Sequence, residues 1–181
     1  LAELDLSAFD FDFGVSLDED DTETKQREEI ALNESVSVVV ECSDDEEAEA
    51  IFGEKLVWIS EKDKGIYDAM NQAAAQAGGE ILFFLNCGDK FHDEKVLENV
   101  KESVQGSKAK IFYGNIFSVL SNSLVPSNPH MDAFGCYRNV PCHQACFYRK
   151  ELFEERGYLL QYKVRADYEH FLWSFFEKKA E

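Results

Sequence analysis

The sequence predicts an α/β fold: a Rossmann-like, mostly parallel sheet flanked by helices, forming a single domain over residues 1–181. Three observations point there. Strand-like and helix-like stretches alternate up to residue 105, the pattern of βαβ units. Residues 80–86, "EILFFLN", are apolar nearly throughout, as a central strand covered on both faces must be. A chain of 181 residues with 45% hydrophobic and 13% aromatic content supports one core.

The elements follow in order. Residues 9–17, "FDFDFGVSL", alternate as a strand does. Residues 24–32 suit a short helix with acids near its start. Residues 35–41, "SVSVVVE", are β-branched and bounded by polar residues, which predicts a strand. "CSDDEEAEAIF" reads as a loop opening a helix, its acids placed to favour the helix dipole. "KLVWIS" (55–60) is a strand. "IYDAMNQAAAQA" (66–77) is a helix stopped by Gly78-Gly79. After strand 80–86, residues 93–105 are helical and 109–120 form a strand. Residues 121–140 read as irregular. Residues 144–150 form a short strand, "KELFEERG" a helix stopped by Gly157, and 164–179 an amphipathic helix.

Net charge is −18, and it is concentrated. Residues 1–50 hold eighteen acids against two bases, Lys25 and Arg27; the remaining residues hold eighteen acids against sixteen bases. Such an amino-terminal third argues against nucleic-acid binding. No run of 18 apolar residues marks a membrane-spanning helix. The opening "LAELDLSAFDFDF" lacks a basic-then-apolar signal layout. The five cysteines are odd in number and fit no paired framework, which favours a reducing compartment, the cytoplasm.

In a mostly parallel sheet, ligands sit beyond the carboxyl ends of the strands. Asn86, Cys87, Gly88 and Asp89 leave the central strand at that position. The surrounding text, "WISEKDKGIYDAMNQAAAQAGGEILFFLNCGD", resembles the middle of family 2 glycosyltransferases of the GT-A fold. The likeness is to the bacterial branch that builds capsule, exopolysaccharide or lipopolysaccharide. That branch reads W-I-S-E-x-D-x-G-I-Y-D-A-M-N-K, then G-E, then F-L-N-S-G-D. "PCHQACFYRKELFEERGYLLQYKVRADYEHFL" is similar to its later H-Q-x-x-F-Y-R-x-x-L-F block, with an A-D-Y-D-like segment beyond. The two blocks cover residues 55–173 in the right order.

The resemblance implies an inverting transfer of a sugar from a nucleotide-diphosphate sugar to a glycan or lipid-linked acceptor, with Mn²⁺ or Mg²⁺ bridging the donor phosphates. It implies Asp89 as the metal ligand, with Asn86 beside it on the nucleotide side. It places Asp63, Gly65 and Asn71 around the nucleotide, and His143, Gln144 and Tyr113 on the acceptor side. Asp167, at the start of the last helix, takes the place of the catalytic base; Glu169 is its nearest rival. Asp68, three residues before Asn71 and on the same helical face, reads as structural rather than functional. Residues 1–54 match loosely and form a divergent, acidic nucleotide-binding part; residues 55–181 hold the metal, acceptor and base parts. Where the family has D-G-G-S-x-D-G-T, this chain has "ECSDDEEAEA", with Glu41 and Asp45 in the corresponding positions and the glycines gone. Membrane association, at the inner face, would come only through the lipid acceptor or a partner.

Two other readings compete. A GT-A-fold domain without turnover would serve as a binding or regulatory module. Cys136, Cys142, His143 and Cys146 offer a Cys₃His zinc set, although C-x₅-C-H-x₂-C matches no common zinc module.

Overall fold

A computed structural model describes residues 26–33, 36–42, 56–59, 62–86, 89–93 and 95–180; for the first three segments it describes the backbone alone. The strands are β1 (Gln26–Asn33), β2 (Val36–Cys42), β3 (Leu56–Ile59), β4 (Ile81–Leu85), β5 (Ile111–Tyr113), β6 (Ile116–Ser118), β7 (Ser123–Val125) and β8 (Cys146–Arg149). The helices are α1 (Ile66–Gln76), α2 (Val96–Val104), α3 (Ala133–Arg138), α4 (Glu151–Glu155) and α5 (Ala166–Glu177), with a 3₁₀ turn over His143–Ala145. The predicted strand 9–17 and the helix predicted after residue 42 lie outside the described residues.

Six strands form one sheet in the order β3-β1-β2-β4-β8-β5, and β6 and β7 pair separately. The fold is α/β, as expected, but the sheet is mixed rather than mostly parallel. Only β2 and β4 pair in parallel; the other four pairings of the sheet are antiparallel. The reason lies in the connections. Two residues separate β1 from β2, far fewer than a parallel crossover needs. The helix expected over 24–32 is therefore β1, a strand paired on both sides. Its sequence, "QREEIALN", favours a helix locally, and two rows of ladder hydrogen bonds override that preference.

These pairings make β3, β2, β4 and β5 run the same way. Ile59, Arg27 and Glu41 stand in one row across β3, β1 and β2, and Val40 faces Leu85. Tyr113, the last residue of β5, faces Cys146, the first of β8. The carboxyl ends of the four strands thus share one edge of the sheet.

β4 is the centre of the core, and alternation splits its side chains between two faces. Leu82 and Phe84 join a cluster with Met70, Ala73 and Ala74 of α1, Tyr148 of β8, Leu152 of α4 and Phe171 and Trp173 of α5. Ile81 and Phe83 pack on the opposite face with Phe147, against Leu97, Val100 and Val104 of α2. Helices therefore cover both faces of β4, which is why its sequence is continuously apolar.

Two departures lie after β5. The strand expected over 109–120 breaks at Gly114-Asn115, where the Gly114 carbonyl accepts from Ser127 Oγ (2.6 Å) and Asn115 Oδ1 from the Ser127 N–H (2.9 Å). The stretch 121–140, read as irregular, contains β7 and α3. Asp132 starts α3 by accepting from the Gly135 N–H at 2.6 Å.

Candidate active site

α1 begins at the shared edge. Gly65 has φ +119°, a left-handed conformation open to glycine. Its N–H donates to Asp63 Oδ1 (2.5 Å), and its carbonyl accepts from the N–H groups of Asp68 and Ala69. Asp68 takes the Lys64 N–H at 2.9 Å, so it acts as a helix-start acid. This turn sets Tyr67 in the first turn of α1, facing the core side.

α5 begins at the same place. Arg165 precedes it with φ +66°, unusual for a residue with a side chain. Asp167 follows in the first turn. Tyr67 Oη donates to Asp167 Oδ1 at 2.6 Å across 100 residues of sequence. Burial, then this hydrogen bond and the negative charge, push the Tyr67 hydroxyl up to about 12. It therefore stays protonated at neutral pH. Among the described residues, Asp167 Oδ2 receives no hydrogen bond.

Glu169 is settled otherwise. Both of its carboxylate oxygens accept from Arg156 Nη2 at 3.0 Å, and that guanidinium lies 4.3 Å above the Trp173 ring. Glu169 is bound away from Asp167.

The third contribution comes from the turn before β8. His143 stacks on Phe84 of β4 (5.6 Å between centroids), and its Nδ1 lies 3.4 Å from Tyr158 Oη. Burial lowers its pKa, with the Asp167 charge acting the other way, so it is neutral. Its Nε2 is buried without a partner among the described residues. Gln144 is exposed and accepts from Cys142 Sγ through Oε1 at 2.7 Å. Tyr113 donates to the Asn128 carbonyl at 2.8 Å and fastens the loop beyond β6 and β7.

Beyond β4, the Asp89 N–H closes a turn on the Asn86 carbonyl (3.0 Å). Asp89 is half-buried, and burial raises its carboxyl above the ordinary range. Burial raises the Cys142 thiol, and the charges of Asp89 and Asp167 add to it. A cation at Asp89 would offset the cost of burying its charge. No three His, Cys, Asp or Glu side chains among the described residues converge as a closed metal cage. One carboxylate suits a hard cation that takes its other oxygens from phosphate and water.

The zinc set does not assemble. Cys136, Cys142 and Cys146 are free thiols. Burial raises all three, Cys146 to about 12, and no three His, Cys, Asp or Glu side chains among the described residues stand close enough together to hold a metal.

Asn71 is used on the protein itself. Its Nδ2 donates to the Tyr158 carbonyl (2.9 Å) and its Oδ1 accepts from the Tyr158 N–H (2.7 Å). Gly157 leaves room for this clamp, since a Cβ there would collide with Asn71 Oδ1. Glu41 stands on β2 one row past the Val40–Leu85 pair, level with Asn86; Asp45 lies outside the described residues.

Sequence reasoning missed Tyr67, Tyr158 and Arg156. The signal for Tyr67 was present, one turn before Asn71 in "GIYDAMN". Nothing local announced the other two. An open groove of about 520 Å³ between α1 and α4, lined by Ala74, Ala75, Phe153 and Leu159 among others, lies behind the Asn71–Tyr158 clamp. Neither Asp89 nor Asp167 lines it.

No family profile and no solved structure matches the chain. It is similar to PGL/p-HBAD biosynthesis glycosyltransferases of Mycobacterium bovis (strain BCG / Pasteur 1173P2) and Mycobacterium tuberculosis (strain ATCC 25177 / H37Ra). Each is 34% identical over 119 residues, 65% of this chain and 46% of the relative. An uncharacterized glycosyltransferase of Mycobacterium tuberculosis (strain CDC 1551 / Oshkosh) is 33% identical over 120 residues, 64% of this chain and 46% of the relative. The chain spans less than half the length of these curated relatives. What it shares with them is a stretch of glycosyltransferase sequence about two thirds of its own length.

Proposed function

We propose that the chain carries the acceptor, metal and base parts of an inverting glycosyltransferase of the GT-A fold, family 2. In this reading it moves a sugar from a nucleotide-diphosphate sugar to a glycan or lipid-linked acceptor. One observation carries the reading: Asp167, held by the Tyr67 hydroxyl at 2.6 Å, and Asp89, in the turn that follows β4, stand at the carboxyl edge of the sheet in a stretch similar to glycosyltransferases.

Asp167 Oδ2 accepts the proton of the acceptor hydroxyl as that oxygen attacks the anomeric carbon. The new C–O bond forms on the face opposite the leaving group, the bond to the phosphate oxygen breaks, and nucleoside diphosphate departs. Asp89 would hold Mn²⁺ or Mg²⁺, which supplies charge neutralisation at the diphosphate. Asn86, Asp63 and Gly65, with Glu41 and Asp45, border the nucleotide. Neutral His143, Gln144 and Tyr113 border the acceptor. Among the described residues no helix is long and apolar enough to cross a membrane. The proposed address is the cytoplasm, with any membrane contact made through a lipid-linked acceptor.

A thermal-shift screen of UDP, GDP, CDP and dTDP, with and without Mn²⁺ or Mg²⁺, tests this. Specific binding raises the melting temperature by mass action. The expected result is a metal-dependent shift for one nucleotide that Asp89→Ala removes. Folded protein that responds to none of them would replace the enzyme reading with that of a binding module.

A further inference from the structure

We infer that Tyr67 is a positioning residue: its hydroxyl fixes the Asp167 carboxylate, and the Asn71–Tyr158 clamp fixes Tyr67. This rests on the proposed reading of Asp167 as the base.

The geometry forms a closed circuit. Tyr67 and Asn71 are four residues apart and share one face of α1. Asn71 grips both backbone polar groups of Tyr158, at 2.7 and 2.9 Å. The Tyr158 ring, almost fully buried, packs back on the Tyr67 ring at 5.2 Å with a 60° tilt. That contact limits the tilt of the Tyr67 ring and aims its hydroxyl at Asp167. Held this way, the carboxylate loses rotamer freedom before any substrate arrives, which is how orientation speeds a reaction.

The chemistry of the donor matters as much as its place. Among the described residues no ion pair reaches Asp167: Arg156 holds Glu169, and the Arg165 guanidinium lies over the Tyr168 ring at 5.8 Å. A cation on Asp167 would orient it but suppress its appetite for a proton. A neutral phenol orients it through Oδ1 and leaves the negative charge, and Oδ2, for the acceptor hydroxyl. Because the phenol stays protonated, the donor persists across the working pH range.

The test compares Tyr67→Phe, Asp167→Asn and the unmodified chain with Mn²⁺ present. Turnover is read as nucleoside diphosphate released from UDP-glucose, UDP-galactose, GDP-mannose or dTDP-rhamnose, and donor binding by calorimetry. Tyr67→Phe should lower kcat roughly 10- to 100-fold, leave donor Kd within about twofold, and move the acid limb of kcat/KM to higher pH. Asp167→Asn should abolish turnover. An inactive Asp167→Asn beside a fully active Tyr67→Phe with the original pH profile overturns this inference alone. A fully active Asp167→Asn, or no turnover in the unmodified chain, overturns the base assignment beneath it. A second readout needs no activity. The ring-carbon NMR signal of Tyr67, assigned by its loss in Tyr67→Phe, should titrate at lower pH in Asp167→Asn. An unchanged midpoint would mean that the two groups are not coupled.

Discussion

Arg156 Nη2 donates to both carboxylate oxygens of Glu169 at 3.0 Å while its guanidinium lies 4.3 Å from the centre of the Trp173 ring. This arrangement takes Glu169 out of the chemistry and commits it to holding α5 against the loop after α4. Both side chains are about a quarter exposed, so the pair is only partly screened by solvent. Glu169→Gln should therefore keep kcat within about threefold while Asp167→Asn loses it. Loss of activity in Glu169→Gln, from protein that still melts near the original temperature, would reopen the choice of base.

The same site predicts a distinction between two cations. Lysine at position 156 keeps the charge but loses the planar guanidinium that lies over the Trp173 ring. Arg156→Lys should cost about 1–2 kcal/mol in urea unfolding, from lost stacking and hydrogen bonding. A midpoint indistinguishable from that of the unmodified chain would show that the stacked geometry contributes nothing.

His170 sets a pH window for stability. It is fully buried, its Nε2–H donates to the Arg156 carbonyl at 2.9 Å, and its Nδ1 has no partner among the described residues. Burial, with the Arg156 charge adding to it, lowers its pKa to about 4. The folded value lies below the unfolded one, so the unfolded chain takes up the proton first as pH falls. Stability is complete above about pH 6.5, declines towards pH 4 and levels off below. The gap corresponds to about 3 kcal/mol. Burial lowers His143 too, which adds in the same direction. Urea titrations from pH 7.5 to 4 check this, and His170→Phe should flatten much of the slope.

Gly157→Ala should disturb the site from a distance. The added methyl group would collide with Asn71 Oδ1, so either the clamp on Tyr158 opens or the chain shifts. The expected cost is about 1–3 kcal/mol. Circular dichroism should show α1 intact while the melting temperature falls. An unchanged melting temperature would mean that the clamp is soft.

Gly65→Ala tests the entry to α1 by a different route. A methyl group at Gly65 meets nothing within 4 Å, so crowding is not the issue. The strain comes from φ +119°, and should cost about 1–3 kcal/mol. Serine or asparagine at position 65 should fare no better than alanine if backbone strain is the cause.

The parts of this molecule that were readable from sequence are those whose signal is local. α1 carries an alanine-rich stripe between Gly65 and Gly78, and β4 is apolar on both faces because helices cover both. α5 repeats apolar residues at helical spacing. β1 was misread because its helix preference is local while its two ladders are not. The sheet's directions were misread for a related reason: alternation of elements says nothing about a hairpin joined by two residues. In the candidate site, Asp167 and His143 are singled out by the family resemblance. Tyr67 on Asp167, Tyr158 beside His143 and Arg156 on Glu169 are contacts across 13 to 100 residues, and no spacing rule encodes those.

The 100 residues between Tyr67 and Asp167 have a consequence for the chain as it is made. At translation speeds of roughly 5–20 residues per second, the aspartate emerges some 5–20 s after the tyrosine that receives it. During that interval β4 and α1 are already available to collapse together, with the phenol and the Asn71 grip waiting at an unfinished edge. The Tyr67–Asp167 pair therefore forms only once α5 docks on a segment that has already been made.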